Sequence, residues 1–416
     1  MEAREGYKKS KLGWIPKDWD YGVLGDQVEL LHGHQFRNED FTENGIPVIK
    51  ISQVSPSGKL DLSSLTYISS DRLEEFKDKI IEEGDVLMSL TGNIGRVVVV
   101  RNVQDKFVQN YRVGKFIPKD TNRLDKIYMA IILASPQVLK QLEKNSNKTA
   151  QMNFGKQDMN KISFLLPPVH EQQKIAEVLT TVDDKIASIE NRIQQTEQLK
   201  KGLLEKLMTE GIGHREFKDT EIGRMPVGWD AVKLGSLVEI VSDKSPSKFD
   251  FVRDGEYKFF KVNQLNFFAK YLCESEYSYE PNGYEAFPKG MVVFPKRGAS
   301  IFTNKVRILG VNGFFDTNVM GLKPRINLNN QYLYYFLIIF ELSNIADTSS
   351  VPQINNKHIN PITMPLPSIN EQKQIASILS TVDDKLDVLH TKKANYETLK
   401  KGLMEQLLTG KMRVKP

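Results

Sequence analysis

A single cysteine in 416 residues, Cys273, excludes a disulfide framework and any zinc site built on thiolates. No run approaches the ~20 apolar residues that a membrane helix needs. The opening Met1-Glu2-Ala3-Arg4-Glu5 lacks the apolar core of a signal peptide, so a cytoplasmic protein with no membrane contact is expected. The chain also lacks a Walker-type phosphate loop. Gly92-Asn93-Ile94-Gly95 does not have the triple-glycine spacing of a dinucleotide site. No Asn/Asp-Pro-Pro-aromatic tetrapeptide of the amino-methyltransferase kind occurs, since Leu166-Pro167-Pro168-Val169 has no polar residue ahead of its prolines. His32 and His34 could share a ligand on a strand, but no third metal ligand accompanies them, and a loop pair is the simpler reading. Asp183-Asp184 and Asp383-Asp384 sit on helix-forming sequence, where neighbouring side chains point about 100° apart, so they suit a solvated or partner-facing surface better than acid/base work. Cys273 has no matching histidine and reads as a small apolar residue. A non-catalytic protein with no cofactor of its own is the expectation.

What is present is ordinary in bulk and uneven in detail. With 40% hydrophobic and 26% charged residues, the chain can fill two or three globular cores. The net charge of +5 hides a pattern: residues 1–85 carry 11 basic and 17 acidic side chains, whereas residues 86–165 carry 13 and 5. The same alternation returns later, with 9 against 12 over 217–285 and 8 against 3 over 286–364. Two basic regions favour a polyanion, because each neutralised phosphate releases condensed counterions.

The chain is also written twice. Residues 165–209 and 365–409 are identical at 21 of 45 positions without a gap, including Thr181-Val182-Asp183-Asp184-Lys185 and Leu199-Lys200-Lys201-Gly202-Leu203. Ahead of each copy the likeness thins to anchors: Gly13, Pro16 and Trp19 return as Gly223, Pro226 and Trp229, and Leu24-Gly25 as Leu234-Gly235. The order is a variable block, a fixed block, a variable block and a fixed block.

The fixed blocks read as long helices. Ile175, Leu179, Val182, Ile186, Ile189, Ile193, Thr196, Leu203 and Leu207 follow steps of three and four, and the second copy repeats the seam from Ile375 to Leu407. Positions 175 to 207 would span roughly 48 Å. Pro167 and Pro367 precede the starts, Asn370 suits an N-cap, and Gly211, Gly213 and Gly410 mark the ends. An antiparallel pairing about a midpoint dyad would set Gly202 beside Ala376 and Gly402 beside Ala176, giving the glycines a close-approach role. The variable blocks read as mixed α/β domains, with strands near 46–51, 85–90, 97–100, 257–265, 291–295 and 305–309 and helices over 126–144 and 330–344. The fold class is therefore α+β: two globular mixed domains and two long helices in an antiparallel coiled coil. The expected divisions are 1–165, 166–210, a linker at 211–222, 223–364 and 365–416.

Taken together, the alternation, the Leu-Pro-x-x-x-Glu-Gln openings (Leu166, Pro167, Glu171, Gln172; Leu366, Pro367, Glu371, Gln372) and the Gly-x-x-Pro-x-x-Trp motifs resemble the specificity (S) subunit of type I restriction-modification systems. Gly84-Asp85-Val86-Leu87 leading to Gly92 is also typical of that family; Met291 stands where the second copy would carry the aspartate. The resemblance covers essentially the whole chain. It implies that each variable block is a target recognition domain reading one half of a bipartite, asymmetric site in double-stranded DNA. It implies that the helices hold the two apart and dock two methyltransferase subunits, that restriction subunits join them, and that S-adenosylmethionine and ATP stay on those partners. A two-domain adaptor for another ligand, or an enzyme of unfamiliar type, would share the layout without the DNA.

Polar residues on loops after the recurring strands are the candidates for DNA contact, with Arg and Lys suited to guanine or phosphate and Asn and Gln to adenine. They are Lys50, Gln53, Thr91, Asn93, Arg96, Asn110, Tyr111, Arg112, Gln151, Asn153 and Lys156 in the first domain. In the second they are Lys261, Asn263, Gln264, Lys296, Arg297, Asn304, Lys305, Asn318, Gln353, Asn355 and Lys357. Candidates for subunit docking are Glu171, Gln172, Asp183, Asp184, Glu371, Gln372, Asp383 and Asp384.

Overall fold

The computed structural model describes residues 5–103, 105–145, 153–242, 251–252, 254–266, 270–280, 285–347 and 351–414. They form two compact units, Met1–Ile189 with Lys392–Pro416, and Glu190–Thr391. Each unit is one α/β domain, the first half of the long helix that follows it, and the last half of the other long helix.

In the first unit the central strand Val86–Ser89 lies between Val97–Val99 and Val113–Pro118, and Val28–His32 completes an antiparallel sheet. A second, mixed sheet runs Phe41–Thr42, Thr66–Ile68, Ile46–Ile49, Phe107–Gln109, Ile80–Ile81, with one parallel pair at its centre. Alternation along the central strand explains the packing. Val86 and Met88 join the core under helix Lys126–Leu133, while Leu87 turns to the cluster of Ile49, Val54 and Phe107. A strand covered on both faces needs an unbroken apolar run, and 86–88 has one. Unit Glu190–Thr391 repeats the plan: Val292 and Phe294 face the helix Asn330–Phe340, and Val293 faces Phe260 and Phe315.

Met291 proves to be part of a paired replacement. Asp85 is buried and accepts hydrogen bonds from Lys115 Nζ (2.8 Å) and the Glu82 N–H (2.9 Å). The strand partners show that Gly321 takes the place of Lys115, and a Cβ there would lie 2.6 Å from the Met291 sulfur. An ion pair in one domain is thus apolar filling in the other. The preceding turn survives, with Gly84 at φ 81° and Gly290 at φ 91°.

The expected rods are helices Val169–Thr209 and Ile369–Leu407. Ser368, not Asn370, precedes the second helix, its hydroxyl accepting from the Glu371 N–H at 3.3 Å. In the first unit Ile175, Ala176 and Leu179 pack with Met404, Leu407 and Leu408, and Lys400 reaches Asp183 at 2.6 Å. In the second, Leu204, Leu207 and Met208 pack with Ile375, Ala376 and Leu379, and Lys200 reaches Asp383 at 2.7 Å. The helix segments in each unit are therefore antiparallel. The glycine register expected from the sequence does not form. Gly202 and Gly402 are exposed, and a Cβ on either would meet nothing within 4 Å, because the leucines beyond them fill the seam.

Segment 211–222 is not a slack linker. Phe217–Thr220 and Gly223–Pro226 form a hairpin, and the Ile212 N–H donates to Glu371. Among the described residues, no helix is long and apolar enough to cross a membrane, and no group of three His, Cys, Asp or Glu could hold a metal. His34 packs instead against Phe36 and Phe76, and Cys273 is exposed.

Candidate nucleic-acid interface

The same backbone frame recurs at one end of the main sheet in each unit. In the first, the Leu90 N–H donates to the Arg112 carbonyl (2.9 Å), the Phe154 N–H donates to the Leu90 carbonyl (2.9 Å), and Thr91 bridges to Asn153. In the second, the Lys296 N–H donates to the Asn318 carbonyl (2.8 Å), the Ile354 N–H donates to the Lys296 carbonyl (2.8 Å), and Arg297 bridges to Gln353. Three segments far apart in sequence are thereby held side by side just past the central strand. They carry Thr91, Asn93, Arg96, Tyr111, Arg112, Asn153 and Lys156 in one domain. In the other they carry Lys296, Arg297, Asn318, Gln353, Asn355 and Lys357. Asn93, Asn153, Lys156, Arg297, Asn355 and Lys357 are exposed.

Lys50 and Lys261 extend each rim, since Ile49 and Phe260 accept from the Asn110 and Asp316 N–H groups. Each ammonium lies over a ring, Lys50 at 3.9 Å from the Phe41 centroid and Lys261 at 3.5 Å from Tyr277. Burial lowers the pKa of Lys50 and of Lys296, whose Nζ donates to Ser242 at 2.9 Å. Arg112 donates from Nε to the Tyr111 hydroxyl at 2.8 Å, which fixes its fork.

Several expected contact residues do other work. Gln53 and Gln264 are buried; each accepts from the backbone N–H three residues earlier, at Lys50 and Lys261, and closes a turn. Asn110 is buried and accepts from the Arg112 N–H, as Asp316 does from that of Asn318. Asn304 adopts φ 44° and donates to the Ile338 carbonyl, so its amide faces the helix Asn330–Phe340. Lys305 donates to Asn266, and Asn263 is exposed on the turn after Lys261. Gln151 lies outside the described residues. These side chains were polar and loop-borne, which sequence cannot separate from the turn-forming polarity of the same residue types.

The docking candidates need a larger correction. Glu171 is 1% exposed; its carboxylate accepts from Trp19 Nε1 at 2.8 Å and from the Arg413 guanidinium at 2.7 and 2.8 Å. Gln172, fully buried, accepts from the Asp125 N–H and donates to the carbonyls of Arg123 and Pro167. Glu371, half-buried, and Gln372, fully buried, make the same bonds with Trp229, His214, Asn329, Asn327 and Pro367. The two repeated motifs are thus halves of one joint: the tryptophan of one meets the glutamate of the other. A buried, fully bonded carboxylate offers nothing to a partner. Asp383 is likewise buried, whereas Asp183 pairs with Lys400, Asp184 is exposed beside Arg101 (3.3 Å), and Asp384 is exposed. Other exposed residues shared by the two copies lie outside that set, among them Leu199 and Leu399, at 52% and 48% exposure, Lys201 and Lys401, and the two glycines. Identity at positions off the seam was the available signal.

The profile of the family described as "Type I restriction modification DNA specificity domain" matches residues 16–198 and 226–397, most of the chain. The chain belongs to this family. Among its relatives, a putative type I restriction enzyme MjaX specificity subunit of Methanocaldococcus jannaschii is 26% identical, covering 99% of this chain and 97% of its own. The MjaVIII specificity subunit of the same organism is also 26% identical, with the same coverage. The EcoBI specificity subunit of Escherichia coli is 26% identical over 46% of this chain and 41% of its own. The fold is shared with the crystal structure of a type I S subunit from M. genitalium, at TM-score 0.63 and 16% identity over 98% of each chain. As a type I specificity subunit the protein is the non-catalytic, DNA-recognising component of its restriction-modification system, and its two α/β domains are target recognition domains.

Proposed function

We propose that the two rims read different halves of one interrupted, asymmetric DNA site. One observation carries this: the frame is the same in both domains and the side chains on it are not. Lys296 stands where the first domain has Leu90, Arg297 where it has Thr91, Asn318 where it has Arg112, and Gln353 where it has Asn153. A fixed frame presents side chains at matching depth to a groove, while changed side chains alter the donor and acceptor pattern that is read. The duplicated helices support docking of two copies of one partner, a methyltransferase subunit, through their shared exposed residues; restriction subunits join that assembly. S-adenosylmethionine and ATP belong to those partners, and each methyltransferase flips an adenine from its half-site.

A two-domain adaptor for another ligand is distinguished by salt. With methyltransferase present, affinity for target DNA is expected to fall steeply as salt rises. Arg297→Ala is expected to weaken target binding by about 1–3 kcal/mol if the arginine reads a base, and Lys357→Ala to reduce the salt slope by about 1 if the lysine meets a phosphate. Titrations at several salt concentrations check both, and salt-insensitive binding by the assembled complex would favour the adaptor.

A further inference from the structure

In unit Glu190–Thr391 the Asp383 carboxylate gathers groups from the domain and from both long helices. Lys270, its side chain 7% exposed, lies 3.6 Å from Oδ2 and donates to the Tyr335 hydroxyl (2.8 Å) and to Ser380 Oγ (3.0 Å). The Tyr335 hydroxyl donates to the same Oδ2 at 2.5 Å, and Lys200 pairs with Oδ1 at 2.7 Å. Lys270 leads into the strand Tyr271–Leu272, which extends the main sheet; among the described residues the first domain has no strand there. The matching Asp183 keeps a half-exposed side chain and pairs with Lys400 across the helices. There the domain's polar contact is the surface pair of Arg101 with Asp184. Both domains share the tryptophan–glutamate joint at the start of the helix that follows them. Beyond that joint, the second domain is tied to its helices by a buried charge network and the first by apolar packing with a solvated pair.

These two attachments differ in what they fix. Apolar contact is non-directional and tolerates small slides. A buried carboxylate with two donors and a second ammonium beside it is satisfied in one geometry only, and a slide leaves charges unpaired. We infer that Lys270, Tyr335 and Asp383 are positioning residues that fix the reading rim of the second domain against the helix pair and so narrow the range of gaps accepted between the two halves of the target. This rests on the bipartite reading proposed above.

The test uses Lys270→Met/Asp383→Asn, which removes the two buried charges and leaves the half-exposed Lys200 to solvent, in the chain assembled with its methyltransferase subunits. Methylated adenines are mapped on a DNA library whose half-sites are separated by native, shorter and longer gaps. Methylation at gaps one base pair off, relative to the native gap, is expected to rise about tenfold, the size of one lost charge-assisted hydrogen bond, with both half-sequences unchanged. Tyr335→Phe removes a single hydroxyl and is expected to shift the profile the same way by less, so misfolding of the charge variant would not shelter the inference. A gap profile identical to wild type in Tyr335→Phe and in the folded double variant, whatever the total methylation, would overturn it. If the wild-type complex itself methylated one uninterrupted sequence, the bipartite reading would fall and take this inference with it.

Discussion

Replacing Gly202 and Gly402 by alanine is expected to make the chain more stable and the complex weaker. Glycine inside a helix costs about 1 kcal/mol relative to alanine. Both glycines are exposed and a Cβ on either would meet no atom within 4 Å, so nothing inside the described chain offsets that cost. Each is flanked by an exposed leucine, Leu199 or Leu399, and an exposed lysine, Lys201 or Lys401. A bare helix backbone beside an exposed leucine suits close approach by a partner helix, and a methyl group in such a contact costs about 1–3 kcal/mol, roughly tenfold to a hundredfold in affinity. On the docking proposed above, each single variant removes one of two equivalent places, so Gly202→Ala should yield assemblies with one methyltransferase subunit instead of two. Native mass spectrometry counts the subunits and urea unfolding follows the stability. Two subunits bound with wild-type affinity, together with a raised unfolding midpoint, would mean that the glycines are not contacts.

Exchanging residues 217–364 for the equivalent segment of another specificity subunit is expected to change one half of the methylated sequence and leave the other half as it was. The segment carries the whole second rim with its strands. It also carries Trp229, which must meet Glu371, and the strand Asp230–Lys233, which pairs with Thr363–Leu366 at the junction. A donor lacking that tryptophan would leave the half-buried Glu371 carboxylate short of a donor and should fold less well, at a cost of about 1–3 kcal/mol. The gap between the halves should answer to the helices instead. Lengthening near Thr209–Gly211 would unseat Ile212 and His214 from Glu371. The better place is 186–196 and 386–396, where the copies share no residue. Seven residues added to each helix preserve the buried seam and add about 10 Å, which corresponds to roughly three base pairs of extra gap. Altered base identities with an unchanged gap would contradict the division of labour.

The sequence carried the architecture because its strongest signals are periodic. Ile175 to Leu207 repeats in steps of three and four, and residues 86–88 are apolar because both faces of that strand are covered. The rims were legible as loops after those strands. What stayed hidden depends on a distant partner. Glu171 looks like surface charge at a helix start until Trp19, 152 positions earlier, is seen to donate to it. Asp183 and Asp383 stand in the same pentapeptide, yet only Asp383 is buried, because Lys270 and Tyr335 belong to a domain that diverged. Gly202 faces out because Leu203, Leu204 and Leu207 occupy the seam, a matter of helix phase that small shifts in register reverse.

Mapping methylated adenines across the genome by single-molecule sequencing, in cells with and without this chain, tests the central claim most directly. The expected result is one two-part motif, asymmetric, with a fixed gap and a modified adenine in each half, present only when the chain is present. An unchanged methylation map, or a motif that is a single uninterrupted sequence, would contradict the assignment of one half-site to each domain.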